Sequence, residues 1–143
     1  MNHIHRIITD ADLDGVITAA TVRARFPRAE VHFTRAAAIR AGEWDPLIDA
    51  GTAVCDLPLS APCGLYIDHH TTNAPTSAQA NAMKTIGGQS LWRIAPSAAR
   101  VAWEALDGAR LLPEIAAMMP LVDAIDAGTL SDTDYLTEPP LLT

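Results

Sequence analysis

Short apolar segments alternate with longer segments of helical periodicity in the first half of the chain. The segment His3–Thr9 is rich in isoleucine and predicts a strand. Leu13–Phe26 places its apolar residues at helical spacing, and Pro27 ends the pattern, which predicts a helix. Val31–Thr34 predicts a short strand. Two more segments are β-branched or aromatic, lie between Gly and Pro residues and predict strands: Thr52–Cys55 and Leu65–Ile67.

The second half of the chain has longer helical patterns. Ser97 is a good N-cap for a helix that runs to about Leu112. Pro113 suits the first turn of another helix, which we expect to end at Gly128. Between the two halves, Thr71–Pro96 has no clear period and predicts a long loop, which is usually functional or mobile.

Strands that alternate with helices predict an α/β fold, with a mainly parallel sheet of about five strands and helices on both faces. We find no internal repeat and no linker, and therefore expect one domain over residues 1–143. In such sheets, ligands bind beyond the carboxyl ends of the strands. The polar residues that follow each predicted strand are therefore the candidates for function.

The chain is acidic, with 10 Lys and Arg against 17 Asp and Glu and a formal charge of −7. A hydrophobic fraction of 49% is typical of a packed globular protein and excludes global disorder. An acidic protein binds nucleic-acid phosphates poorly, so we expect any such contact to be local or bridged by metal.

The sequence also predicts a cytoplasmic protein with no membrane contact. The apolar stretch Ile115–Val122 is too short to cross a bilayer, and the N-terminus has no signal-peptide pattern. Cys55 and Cys63 lie in or beside apolar segments and are interpreted as core thiols, since no CxxC spacing supports a zinc site.

Acidic and histidine residues follow the predicted strands in separate groups. They are Asp10, Asp12 and Asp14 before Gly15; Asp56; Asp68, His69 and His70; and, near the end of the last helix, Asp123 and Asp126. Carboxylates gathered at one sheet edge repel one another and need cations or shared protons. Oxygen and imidazole ligands suit Mn²⁺ or Mg²⁺, with Fe²⁺ or Co²⁺ as further candidates. Two such ions roughly 3.5–4 Å apart are typical of enzymes that act at phosphorus.

Each group has an alternative interpretation when taken alone. The first resembles the start of a calcium-binding EF-hand loop, but Thr21 occupies the position that requires Glu. Asp56 could simply begin a turn, and Asp123 and Asp126 could be solvated positions on one helix face. The combination in one order along the chain is more specific than any single group.

These groups resemble the four motifs of the DHH phosphoesterase superfamily, in the right order and over about residues 7–130. The segment from Ser97 to Leu106 is similar to the helix that follows the DHH motif in that family. The superfamily includes single-strand exonucleases, family II pyrophosphatases, exopolyphosphatases, and phosphodiesterases of oligoribonucleotides and cyclic dinucleotides.

The resemblance implies a site for two Mn²⁺ ions, with Mg²⁺ or Co²⁺ as alternatives. Asp10 and Asp12 would hold one ion. Asp14 and His69 would hold the other, and Asp56 would bridge both.

The remaining motif residues receive roles from the same resemblance. Asp126, with an apolar residue four positions later, fits the fourth motif as a metal ligand, and Asp123 is the alternative. His70 would face the substrate phosphate as a catalytic residue. Asp68 would orient a histidine through a hydrogen bond that fixes its tautomer.

The implied activity is hydrolysis of a phosphodiester or phosphoanhydride bond by a metal-activated water. The substrate would be an oligonucleotide, a cyclic dinucleotide, pyrophosphate or polyphosphate, with Arg35, Arg40 and Arg93 as candidate phosphate contacts. Nothing in the chain resembles the second, substrate-binding domain of the family. We expect that domain to be absent because the chain is truncated or naturally short, and the apolar residues 139–142 favour truncation.

Two other functions are compatible with the sequence. One is a metal-binding regulatory or interaction domain without turnover. The other is a haloacid-dehalogenase-like phosphatase, in which Asp10 and Asp12 would be nucleophile and acid. The residues after Asp12 depart from that second pattern, which also leaves the two histidines of the DHH sequence unexplained.

Overall fold

The sheet has five parallel strands, in agreement with the predicted α/β fold. The computed structural model describes residues 1–130, so the expectation based on residues 139–142 lies outside the described part. The spatial order of the strands is β2-β1-β3-β4-β5. Their bounds are β1 Arg6–Asp10, β2 Glu30–Thr34, β3 Thr52–Cys55, β4 Leu65–Ile67 and β5 Gln89–Ser90.

Helices cover both faces of the sheet. The α-helices in the described part are α1 Leu13–Arg25, α2 Ala36–Arg40, α3 Ser77–Thr85, α4 Ala98–Ala105, α5 Gly108–Leu111 and α6 Met119–Ala127. Short 3₁₀ helices cover Asp45–Leu47, Thr71–Asn73 and Pro113–Met118. No helix within residues 1–130 is long and apolar enough to cross a membrane.

Alternating side chains of the strands divide the core into two layers. Ile7 of β1 faces α1 and α4, together with Val22 and Val101 of those helices. Ile8, the next residue, faces the opposite side and packs with Ile39 of α2 and residues near α3. This alternation is the two-residue period of a strand, applied to a sheet that is buried on both faces. Cys55 and Cys63 are both buried and free, as expected of core thiols.

Helix α1 begins immediately after β1 because the intervening turn is very tight. The Asp12 side chain caps the helix by accepting from the Gly15 N–H at 2.8 Å. A Cβ added to Gly15 would lie 2.0 Å from the carbonyl oxygen of Asp10, so only glycine fits there. The predicted helix Leu13–Phe26 is confirmed, with Phe26 as its C-cap.

The expectation of a long loop over Thr71–Pro96 is wrong. This segment contains α3 and the edge strand β5. Thr76 and Gln79 form a capping box at the start of α3, which is the sequence signal that could have located the helix. Strand β5 has only two residues, which is too short for an alternating pattern to reveal the strand or its pairing with β4.

The last two predicted helices are interrupted. The helix capped by Ser97 ends at Ala105, and Asp107 then adopts a left-handed conformation with φ of 59° before α5. Pro113 begins a 3₁₀ helix, and α6 starts only at Met119. Pro120 lacks an N–H, which suits the first turn of a helix and separates the two segments.

Candidate metal centre

The carboxyl ends of neighbouring parallel strands bring the predicted site residues to one edge of the sheet. Asp10 ends β1, Asp56 follows β3, and Asp68 to His70 follow β4. Three groups of these side chains could each hold a metal ion, because the ligand atoms within each group lie within 4.8 Å of one another. The groups are Asp10, Asp12 and Asp56; Asp14, His69 and Asp126; and Asp56, Asp68, His69 and His70.

Asp56 is a buried carboxylate without hydrogen-bond donors. Its side chain is 1% exposed, and neither oxygen has a partner within the described residues. Burial, followed by the nearby charges of Asp14 and Asp12, raises the pKa of Asp56 to about 11. Its φ of 57° is in the left-handed region, which is unusual for a non-glycine residue and turns the chain sharply after β3.

Asp10 and Asp12 lie on the same side of the cluster as Asp56. The Asp12 Oδ1 atom accepts from Gly15, and Asp10 Oδ1 accepts from the Ala11 N–H at 2.7 Å. Burial and the Asp12 charge raise the pKa of Asp10, as expected for carboxylates gathered without a counter-charge. Each carboxylate therefore keeps oxygen lone pairs that these backbone bonds do not use.

Asp14 connects the cluster to the start of helix α4. Its two oxygens accept from the backbone N–H groups of Ala98, at 3.0 Å, and Ala99, at 2.7 Å. Oδ2 also lies 3.4 Å from His69 Nε2. Burial raises the pKa of Asp14, but the His69 contact and these two hydrogen bonds together lower it below its ordinary value. Asp14 is therefore ionised in a buried place.

One ring nitrogen of His69 faces the cluster, and the other is hydrogen-bonded to the backbone. Its Nδ1 lies 3.0 Å from the carbonyl oxygen of Ala95, which can only accept, so Nδ1 is the donor. The Nε2 atom lies 2.9 Å from Asp126 and 3.9 Å from Asp56, yet it has no hydrogen bond of good geometry. Burial lowers the pKa of His69, but the contacts with Asp126 and Asp14 raise it to about 10.

His70 is oriented from the opposite side by a buried carboxylate. The Asp68 side chain is fully buried, and its Oδ1 lies 2.8 Å from His70 Nδ1. Its Oδ2 accepts from the Asn73 amide at 2.9 Å and from the Tyr66 hydroxyl at 3.4 Å. These contacts hold Nδ1 as a donor, and the Asp68 hydrogen bond raises the pKa of His70. The His70 side chain is 46% exposed.

Asp123 and Asp126 are both on α6, but they have different surroundings. Asp123 accepts from the Ser97 hydroxyl at 2.6 Å and from the Arg100 guanidinium at 2.7 and 2.9 Å. Asp126 lies beside His69. It lines a cavity of about 220 Å³ between the start of α1 and the end of α6. Asp123 is therefore occupied by a structural ion pair, while Asp126 belongs to the cluster.

Sequence reasoning missed several groups that support the cluster. Tyr66 and Asn73 bind Asp68, and the Ala95 carbonyl binds His69. A backbone carbonyl carries no sequence signal. Of the candidate arginines, Arg93 is paired with Glu104 at 2.7 Å.

The side chains present fit a divalent metal. The Asp56 oxygens and His69 Nε2 are buried polar atoms without hydrogen-bond partners in the described part of the chain, and such atoms require an explanation. Several carboxylates with one or two imidazoles form the donor set of Mn²⁺, Mg²⁺ and related ions. A cation would also relieve the repulsion that raises the pKa of Asp56.

The fold is similar to a solved structure of the pGpG-specific phosphodiesterase PggH from Vibrio cholerae, with a TM-score of 0.67 and 27% sequence identity. The match covers 92% of this chain and 40% of the phosphodiesterase, so the chain spans less than half of that protein. No family model and no curated protein matches the sequence. The chain is thus related in structure to part of a phosphodiesterase, and its acidic and histidine cluster is compatible with a metal-binding hydrolase.

Proposed function

We propose that this chain is a DHH-type metal-binding domain that hydrolyses a phosphodiester bond in a small nucleotide, with two Mn²⁺ ions. The observation that carries the proposal is the position of Asp56. This buried carboxylate belongs both to the group with Asp10 and Asp12 and to a group with His69. Its two unpartnered oxygens suit a ligand shared by neighbouring cations.

The ligand assignment follows the grouping of the side chains. Asp10 and Asp12 would hold one ion, and Asp14 and His69 the other. Asp126, 2.9 Å from His69 Nε2, completes the second group in preference to Asp123. Divalent ions bound at such sites lower the pKa of water and offset negative charge on phosphate oxygens. The His69 Nδ1 contact with Ala95 leaves Nε2 free as the ligand atom.

His70 and Asp68 are proposed as the catalytic pair that faces the substrate. Asp68 holds His70 Nδ1 as a donor, so the other ring nitrogen, Nε2, is directed away from this contact. The half-exposed imidazole can then donate to a phosphate oxygen or to the leaving oxygen. The Asn73 amide, which donates to the second oxygen of Asp68 at 2.9 Å, helps to keep the pair in one orientation.

A linear dinucleotide is the first substrate to test. The structural neighbour is described as specific for pGpG, and 27% identity over 92% of this chain supports a related bond type. An oligonucleotide, a cyclic dinucleotide, pyrophosphate and polyphosphate complete the substrate panel.

The test measures metal content and turnover in the same preparations. After chelation and reloading, we expect about two Mn²⁺ ions per chain by elemental analysis, the number of a two-metal site. Asp56→Asn should weaken the uptake of both ions together and abolish Mn²⁺-dependent hydrolysis. His70→Ala should reduce turnover much more than metal content, because its proposed contact is with the substrate.

Asp107→Asn is the matched control for Asp56→Asn. Asp107 also has a left-handed backbone, with φ of 59°, but it is exposed and paired with Arg110. Asn is equally tolerated in that conformation at both positions. Unchanged Mn²⁺ uptake in Asp56→Asn would contradict the bridging role. Stoichiometric Mn²⁺ binding without hydrolysis of any substrate would favour the metal-binding domain without turnover.

A further inference from the structure

The segment that follows β5 is attached to both histidines of the metal centre. The Trp92 indole Nε1 donates to the His70 carbonyl at 2.9 Å. The Ala95 carbonyl accepts from His69, and the Arg93 N–H donates to the Asp68 carbonyl at 3.4 Å. These three contacts place the segment along one rim of the site.

Side chains along this rim alternate between two sides. Leu91 and Ala95 pack against the core layer that contains α1 and α4, and Arg93 pairs with Glu104 of α4. Trp92 packs on the other layer, with residues near α2 and α3. In an extended chain, residues two apart share a side, which places Ile94 on the side of Trp92, whose indole binds the His70 carbonyl.

Ile94 is unusually exposed for its position. It is 75% exposed, more than any other large apolar side chain in the described residues. Single exposed apolar residues are common on protein surfaces. This one, however, lies between Trp92, which binds the His70 carbonyl, and Ala95, which binds His69.

We propose that Trp92 and Ile94 form the contact surface for a nucleobase of the substrate, a surface here called the base rim. This proposal rests on the proposed function and gives the residues that would favour a nucleotide ester, because pyrophosphate and polyphosphate have no group that could use an apolar contact. Bases stack on aromatic and apolar side chains without needing specific hydrogen bonds. The neutral base also avoids the negative field of the carboxylates, which only the metal-bound phosphate must approach.

The test compares two ligands that differ in the presence of a base. Titration calorimetry with Mn²⁺-loaded protein would use a hydrolysis-resistant phosphorothioate dinucleotide and imidodiphosphate. Ile94→Ser should weaken dinucleotide binding at least roughly fivefold, the lower end for loss of one base contact. The Kd for imidodiphosphate and the Mn²⁺ content should stay unchanged, and Ile94→Phe should keep dinucleotide affinity.

Leu47→Ser is the matched control. Leu47 is 42% exposed but lies at the opposite edge of the sheet, where its carbonyl accepts from Arg6 at the start of β1. This variant should leave both affinities unchanged. Tryptophan emission gives a second readout: the dinucleotide should alter it, imidodiphosphate should not, and Trp92→Phe should remove the change.

Three outcomes would overturn the base rim. They are equal losses for both ligands in Ile94→Ser, no loss for either ligand in that variant, and a wild-type chain that binds only imidodiphosphate or binds neither ligand. Hydrolysis is measured separately with the unmodified dinucleotide. Ile94-dependent binding without Mn²⁺-dependent hydrolysis would contradict the proposed function while leaving the base rim in place.

Discussion

Asp56 and His69 carry the atoms of the cluster that are buried without a hydrogen-bond partner in the described part of the chain. Asp56 is a buried acid with a left-handed backbone, and His69 is a largely buried imidazole beside three carboxylates. Conformational strain and unsatisfied polar atoms concentrate at functional sites, because contacts with a bound ligand can offset their free-energy cost. At the scale of single residues, the cluster is therefore compatible with a bound cation.

The pair Asp123 and Asp126 gives a residue-scale prediction. Asp123→Asn should destabilise the protein by about 1–3 kcal/mol, because charge-assisted hydrogen bonds from Arg100 and Ser97 are weakened. Asp126→Asn should leave the metal-free Tm unchanged or higher, since it removes one member of a repelling group. Denaturant unfolding in EDTA, with Mn²⁺ titration of both variants, measures the two effects. A larger loss of Mn²⁺ affinity in Asp123→Asn would reverse our choice of fourth-motif ligand.

Asp14 acts at the scale of helices as well as residues. It sits in the first turn of α1 and accepts the first N–H groups of α4, 84 and 85 residues later in the chain. These amides would otherwise be buried without partners at the start of a helix. The same carboxylate therefore orders the packing of α1 on α4 and faces His69.

This double role predicts different behaviour for Asp14 and Asp10 without metal. Asp14→Ala should lower stability in EDTA by about 2–3 kcal/mol, because two hydrogen bonds to a charged acceptor are lost and buried amides are left unpaired. Asp10→Ala should leave it unchanged or raise it, since Asp10 is partly exposed and repelled by Asp12. Both variants should bind less Mn²⁺. Equal metal-free stabilities of Asp14→Ala and the wild type would contradict the helix-linking role.

Across the whole molecule, stability should depend on pH and metal together. The pKa of His69 in the fold is about 10 against an ordinary 6.5, so the folded state holds more protons between these values. The raised pKa of Asp56, about 11, acts in the same direction from about pH 4 upward. Stability falls as pH rises wherever the folded state binds more protons. Metal-free protein should therefore melt at a lower temperature at pH 9 than at pH 6.

Mn²⁺ should reverse this trend, because it replaces the protons held by His69 and Asp56. At a free concentration 100 times the Kd, binding adds about 2.7 kcal/mol, or roughly 10 °C in Tm for a domain of this size. The gain should be large at pH 8.5 and small at pH 5.5, where protons compete. Melting curves in EDTA and in Mn²⁺ across this pH range test this prediction. A Tm that is the same with and without Mn²⁺ at every pH would contradict the metal centre.

The sequence by itself determined the α/β architecture and the strands that carry the acidic groups. Strands such as Thr52–Cys55 and Leu65–Ile67 were located to the residue, because their apolar runs are bounded by Gly and Pro. Asp56 and Asp68 to His70 follow those strands, and parallel strands place their carboxyl ends at one edge. Local pattern and topology were sufficient for these features. The roles of the individual side chains remain predictions.

Only the tertiary structure decided how the cluster is held. The strand β5 and the helix α3 lie in a segment without clear period, and the pairing of β5 with β4 decides where Ala95 and Trp92 meet the histidines. The different surroundings of Asp123 and Asp126 likewise depend on the packing of α6 against α4, which places Arg100 beside only one of them. Such contacts join residues far apart in the chain, and no local periodicity encodes them, because they depend on how whole elements pack.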